Sequence, residues 1–164
     1  MSRKFAALPL SIIAFAAMAN AAKIGVERDR MVNVSGKGDV WSLFDEQPLV
    51  GDPKAGSGGK PTTEYTAGCI KSALHYPIEG VVDLGAEHAL TDVWFYDING
   101  SDSMRVSCGD GKIWTTMLDR TTSGYNTWVG TAATCTGRYV KIRLISPSSA
   151  VTEMVLYGSA IGNP

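Results

Sequence analysis

Met104-Arg-Val-Ser-Cys-Gly-Asp-Gly-Lys-Ile-Trp114 decides the fold. Met104, Val106 and Cys108 alternate with Arg105 and Ser107, the period-two pattern of a strand that buries one face. Gly109-Asp110-Gly111 supplies the glycines that a reversal needs, and Ile113-Trp114 restarts an apolar run. The stretch predicts a β-hairpin whose return strand carries Trp114 as a core anchor.

The flanking segments have the right lengths and patterns to pair beside this hairpin. In Arg138-Tyr-Val-Lys-Ile-Arg-Leu144 the pattern puts Val140, Ile142 and Leu144 inside and Lys141 and Arg143 outside. Ala89 to Ile98 alternates as cleanly, with Val93 and Phe95 on one face and Asp92, Trp94 and Tyr96 on the other. Trp94 and Tyr96 are placed outward, under the N-terminal segment or as a contact patch. Further strands are expected at Met31–Ser35, as an irregular strand at Thr62–Ser72, at Glu79–Gly85, from Trp128 onward, and at Thr152–Gly158, while Thr115–Thr122 reads as a Thr-rich strand or loop. Val40–Phe44 reads equally as a helical turn or a strand, with Trp41 assigned to the core.

No segment sustains a 3.6-residue apolar period over the length of a helix. About eight short β segments separated by turn residues predict an all-β sandwich or barrel. There is no repeat of fixed period, which argues against a propeller or solenoid.

The first residues belong to a different category. Arg3 and Lys4 precede the apolar run Leu8–Ala19, and Ala19-Asn20-Ala21 fits a small-x-small cleavage site. Residues 1–21 therefore read as a secretory signal peptide, too short and too broken for a membrane span of about 20 residues. Residues 22–30 follow as a polar lead-in, 31–158 as the β domain and 159–164 as a tail. Export implies an extracellular or periplasmic location and a chain that is not an integral membrane protein.

Without residues 1–21 the chain has 13 basic and 16 acidic residues. A mildly acidic chain with scattered charges excludes the basic stripe that nucleic-acid binding needs. Three cysteines remain, Cys69, Cys108 and Cys135. One bridge with one thiol left over is the simplest arithmetic for an exported chain. Cys108–Cys135 is the favoured pairing, leaving Cys69 buried and reduced or bonded to another chain. No CxxC spacing points to zinc.

Gly51 to Pro61 is rich in Gly, Ser and Lys. It has the look of a phosphate-cradling loop and fails the test. Lys54 stands where the first glycine should be, and Pro61 replaces the required Ser or Thr. It is expected to be a mobile surface loop.

With these segments in order, the chain resembles the discoidin-like family, also called coagulation factor type C or galactose-binding-domain-like. The family is a jelly-roll sandwich that includes many bacterial carbohydrate-binding modules. The matching residues are Val82-Asp83-Leu84-Gly85, the hairpin with Asp110-Gly111 and Trp114, Arg138-Tyr139-Val140-Lys141-Ile142, and Glu153-Met154-Val155-Leu156-Tyr157-Gly158. Upstream, Leu43-Phe44-Asp45 and Thr63-Glu64-Tyr65 look like the family's Asp-Gly-Asp…Thr-x-Trp element, interrupted by the Gly51–Pro61 insertion. Here Glu46 replaces the usual glycine, Gln47 the following acid and Tyr65 the tryptophan. Cys108 stands where family members often have serine, which favours a local disulfide.

The resemblance implies a structural Ca²⁺ beside the N-terminal turn, held by backbone carbonyls, Asp45, Thr63 and Glu153. Asp52 is a possible substitute from the insertion. Hard oxygen ligands of this kind suit calcium. It also implies ligand binding by loops at one rim of the sandwich. The candidates are Asp97 and Asn99 in one loop and Tyr125, Asn126 and Trp128 in another, with Arg105 and His75 as polar partners. An aromatic ring there would pack against a pyranose face while polar groups bond its hydroxyls.

Catalysis has little support. His75 and His88 sit in turn-like contexts, and no HExxH or nucleophile-elbow motif is present. The leading expectation is a secreted, non-catalytic module that binds a carbohydrate or cell-surface glycoconjugate. The alternative is a self-assembling structural subunit, a homo-oligomer joined through the Trp94/Tyr96 face, the unpaired cysteine and the Gly-rich loop. A small hydrolase ranks third.

Overall fold

A computed structural model describes residues 21–35, 39–62, 77–98, 103–121, 124–145 and 151–162, apart from the side chain of residue 120. The expected strand at Thr62–Ser72 lies almost wholly outside them. Among the described residues seven strands are formed: β1 (Ala22–Ile24), β2 (Met31–Ser35), β3 (Ile78–Asp97), β4 (Ser103–Gly109), β5 (Trp114–Thr121), β6 (Thr127–Leu144) and β7 (Val151–Ala160). All pairings are antiparallel, in the order β1-β7-β3-β6-β4-β5, with β2 also on β3. The all-β sandwich is the observed architecture.

Two strands are longer than their sequence patterns indicated. Glu79–Gly85 and Ala89–Ile98 are two halves of β3, and the segments beginning at Trp128 and Arg138 are two halves of β6. Register shifts between Asp83 and His88 and between Leu90 and Asp92 bend the paired ribbon. The first half of β3 joins β2 and, through β6, β4 and β5. The second half joins β7 and β1. The ribbon thereby runs through both layers of the sandwich.

One hydrophobic core fills the space between the layers. Val140, Ile142 and Leu144 are fully buried, as are Val93, Phe95, Met104, Val106, Met154 and Leu156, in agreement with the alternation. A 3-10 turn, Val40–Leu43, adds Val40, Leu43 and Phe44, and Trp41 packs at its margin. Asp39 caps this turn by accepting the Trp41 N–H at 3.1 Å. Residues 22–30 are more than a lead-in, because Ala22–Ile24 forms an edge strand on β7.

The hairpin that led the sequence reading is present, with one correction. Asp110 Oδ1 accepts the N–H groups of Lys112 at 2.8 Å and Ile113 at 2.7 Å, and Gly111 takes φ +92°, where a side chain would be strained. Ile113 belongs to this turn and is exposed. Trp114 then pairs with Gly109, which shares its face with Arg105 and Ser107. The indole is half-buried on the outer surface, with Lys141 Nζ 4.3 Å from its ring centre, and is not a core residue. Cys108 and Cys135 are disulfide-bonded with their Cα atoms 6.3 Å apart, tying β4 to the bend of β6.

Candidate functional site

The pairings Asp97–Thr127 and Asp97–Val151 bring the end of β3 and the starts of β6 and β7 to one end of the sandwich. Tyr125 and Asn126 lie at this end, in the turn that leads into β6. Tyr125 is 74 % exposed, the only exposed aromatic side chain among the described residues. Asn126 adopts the left-handed conformation, φ 49°, which asparagine tolerates better than most residues.

The turn is held from below. Asp97 is fully buried at the end of β3, and its Oδ2 accepts the Gly124 N–H at 2.7 Å. Asp97 is therefore a brace for the turn and offers a ligand no surface. Trp128 is also a support. Its Nε1–H donates to the Gly59 carbonyl at 2.8 Å, and its ring stands edge-on to Tyr96 with centroids 5.5 Å apart. Asn99 and His75 lie outside the described residues.

Arg105 is set apart from that turn, on the outer face of β4. Its Nε and Nη2 donate to Asp119 Oδ2 at 3.0 and 2.5 Å. It lines an open cleft of about 180 Å³ with Trp114, Lys141, Arg143, Glu79 and Thr116. Lys141 and the outward placement of Trp114 were not singled out in the sequence. Their meeting follows from the register Gly109–Trp114 and Ser107–Lys141.

Beside the rim, the Gly-rich insertion is anchored to the outer face of β7, β3 and β6. Val50, Val155 and Tyr157 form a second buried cluster with Trp94 and Trp128 at its edge. Lys54 pairs with Asp92 and lies 5.4 Å over the Tyr157 ring. The face has room for this cover because two positions lack a Cβ. One on Gly130 would fall 2.3 Å from the Trp94 ring, and one on Gly58 2.8 Å from that of Trp128. The expected mobile loop is thus a packed cover. The Trp94/Tyr96 patch is consequently closed off, with Tyr96 buried and Trp94 half-buried.

Of the residues proposed for calcium, Thr63 lies outside the described residues and Asp45 is exposed. Burial and the nearby Glu46 raise the Asp45 carboxyl above its usual range. Asp52 accepts the Tyr157 hydroxyl at 2.5 Å and the Ala55 N–H at 3.1 Å, and the tyrosine bond holds its carboxyl below the usual range. Glu153 is fully buried, and burial pushes its carboxyl up to about 9. Among the described residues, no three His, Cys, Asp or Glu side chains gather as a metal cage. His88 bonds the Ala86 carbonyl through Nδ1 at 2.9 Å.

The sequence matches no protein-family profile and no curated protein. The structure does find neighbours. The C-terminal domain of a chitobiase from Bacteroides fragilis superposes with TM-score 0.54 and 14 % identity, over 86 % of this chain and 100 % of that one. The fold is that of family 32 carbohydrate-binding modules. One such module from Clostridium perfringens, solved with galactose, gives TM-score 0.51 and 14 % identity, over 84 % of this chain and 98 % of that one. A chitosan-binding module from a Paenibacillus chitosanase/glucanase gives 0.53 and 17 %, over 84 % and 99 %. The family 32 fold is the discoidin-like jelly roll that the strand motifs resemble. In the described residues, no helix is long and apolar enough to cross a membrane.

Proposed function

We propose that this chain is a non-catalytic glycan-binding module that meets its ligand at the rim formed by Tyr125 and Asn126. One observation carries the reading: an aromatic ring 74 % exposed, on a turn tied down by a buried carboxylate. Such a ring offers a pyranose C–H face a flat apolar partner with little ordering cost, because its backbone is already held. The Asn126 amide both donates and accepts, which suits a sugar hydroxyl. The neighbours solved with galactose or named for chitosan binding support this class of ligand.

An exported location, extracellular or periplasmic, is part of the proposal. It rests on the signal-like N-terminus and on the Cys108–Cys135 disulfide, which persists in oxidising compartments. Tyr96 is buried and Trp94 half-buried, which favours the rim over that face as the binding surface.

The test is a screen of immobilised neutral and charged glycans with the wild type and Tyr125→Ala. The reading expects binding to at least one glycan and its loss in the variant at unchanged melting temperature. Binding to none, or full retention by Tyr125→Ala, overturns it.

A further inference from the structure

The turn where the resemblance implies calcium already contains a cation. Lys23 projects from β1, where it pairs with Tyr157, so it lies on the outer side of β7 that also carries Glu153. Its Nζ donates to the carbonyls of Gln47 and of Gly51, the latter at 2.9 Å. These two carbonyls flank the turn that follows Phe44. Burial lowers the Lys23 ammonium below its usual range, and the neighbouring Glu153 and Asp52 carboxyls oppose that shift.

The side chains around it are engaged with other partners. Glu46 fills the turn where the family has glycine, and its Oε2 accepts the Thr62 N–H at 2.6 Å and hydroxyl at 2.8 Å. Gln47, which replaces an acid, is buried. Its Nε2 donates to the Met154 carbonyl at 3.1 Å and its Oε1 accepts the Val26 N–H at 3.3 Å. Glu153 Oε2 accepts the Glu46 N–H at 3.3 Å, and its Oε1 has no hydrogen-bond partner among the described residues. Calcium takes six to eight oxygens, about 2.3–2.6 Å away, and a dipositive ion needs carboxylates turned toward it. Here one acid position is an amide, and another carboxylate, Asp52, is turned to Tyr157. The two carbonyls are taken by an ammonium. Among the described residues, which leave out Thr63, the donor set does not fit calcium.

We propose that the Lys23 ammonium takes the place of the calcium ion, so that this chain braces its N-terminal turn with an internal cation. A lysine ammonium has three donors and one charge, which match two carbonyls and a site with fewer ionised ligands. The brace fastens β1 and the Glu46–Gly51 turn to β7 in one contact. It also makes the module's stability independent of divalent ions. The inference is separate from the glycan-binding proposal, because it concerns the brace and not the ligand.

The experiment uses the chain from Ala22 to Pro164. Its melting temperature is measured in CaCl₂ and in EDTA, Ca²⁺ is titrated calorimetrically, and Lys23→Met and Lys23→Arg are melted beside it. The proposal expects one melting temperature for the wild type in both buffers and no Ca²⁺ binding. It also expects a lower value for Lys23→Met and recovery in Lys23→Arg, which keeps the charge and the donors. A wild-type melting temperature that falls in EDTA, or saturable Ca²⁺ binding, overturns it. So does a Lys23→Met protein as stable as the wild type. If Lys23→Met does not fold, the wild-type pair of melts and the Lys23→Arg variant still decide the question.

Discussion

The Tyr157 hydroxyl donates to the Asp52 carboxylate at 2.5 Å while it accepts the Lys54 N–H at 3.2 Å. One phenol on β7 thus holds two consecutive parts of an insertion more than 100 residues away. The bond holds the Asp52 carboxyl below its usual range. Its folded pKa is depressed, so this stabilisation is present above the unfolded value, about 3.9, and is lost as pH falls through the lower folded value. Tyr157→Phe is expected to cost about 1 kcal/mol at neutral pH. It should also weaken the acid dependence of stability below about pH 4. Urea denaturation at pH 7 and pH 3 checks both; equal losses at the two pH values contradict the assignment.

Trp128 is the second fastening of the same insertion, through Gly59 and the close approach to Gly58. Trp128→Phe keeps part of the ring and loses the bond to Gly59. Trp128→Ala also empties the space beside Tyr96, at a cost of about 2–3 kcal/mol for a half-buried indole. Trypsin should then cut after Lys54, which precedes Ala55, faster in Trp128→Ala than in the wild type. Unchanged cleavage would mean that the loop is held without Trp128.

Tyr125 and Asn126 should behave in the opposite way. Both are exposed, so Tyr125→Ala and Asn126→Gly should leave the core intact, with stability changes within about 0.5 kcal/mol. For Asn126, φ 49° adds strain to the alanine variant, and Asn126→Gly removes the side chain without it. Glycan affinity is expected to fall in all three. Loss of affinity only in variants that also melt early would point to folding, not contact.

The Cys108–Cys135 bridge closes a 27-residue separation between β4 and β6. In the chain-entropy description such a loop is worth about 3.5 kcal/mol. Cys108→Ser/Cys135→Ser should lower the denaturation midpoint accordingly. Non-reducing peptide mapping should recover the two cysteines in one linked fragment. A fragment joining Cys69 to either would overturn the pairing.

Much of the β architecture was legible because strand alternation is a local property. Val140, Ile142 and Leu144 could be assigned inward from seven consecutive residues. Trp114 could not. Its face depends on the number of residues in the Gly109–Trp114 reversal, and that register places it beside Lys141 on the outside. The candidate site divided for a similar reason. Tyr125 and Asn126 are local turn residues and are exposed as expected, whereas the buried position of Asp97 depends on what β6 and the Gly124 turn lay over it. Trp128 reads locally as a ligand platform, but its Nε1–H is bonded to Gly59 of the insertion.

By itself the sequence determined that this is an all-β chain, where most of its strands run and which face of each is apolar. Those properties follow from side-chain period and turn chemistry over a few residues. Only the tertiary structure decided what covers the outer faces. Gly51–Pro61 has no period, yet Tyr157, Trp128 and Lys54 fasten it across long separations. Lys23, in a segment that reads as a polar lead-in, becomes a brace because β1 pairs with β7 under the Gln47 turn. Contacts of that kind depend on which distant elements are brought together, and no local pattern encodes them.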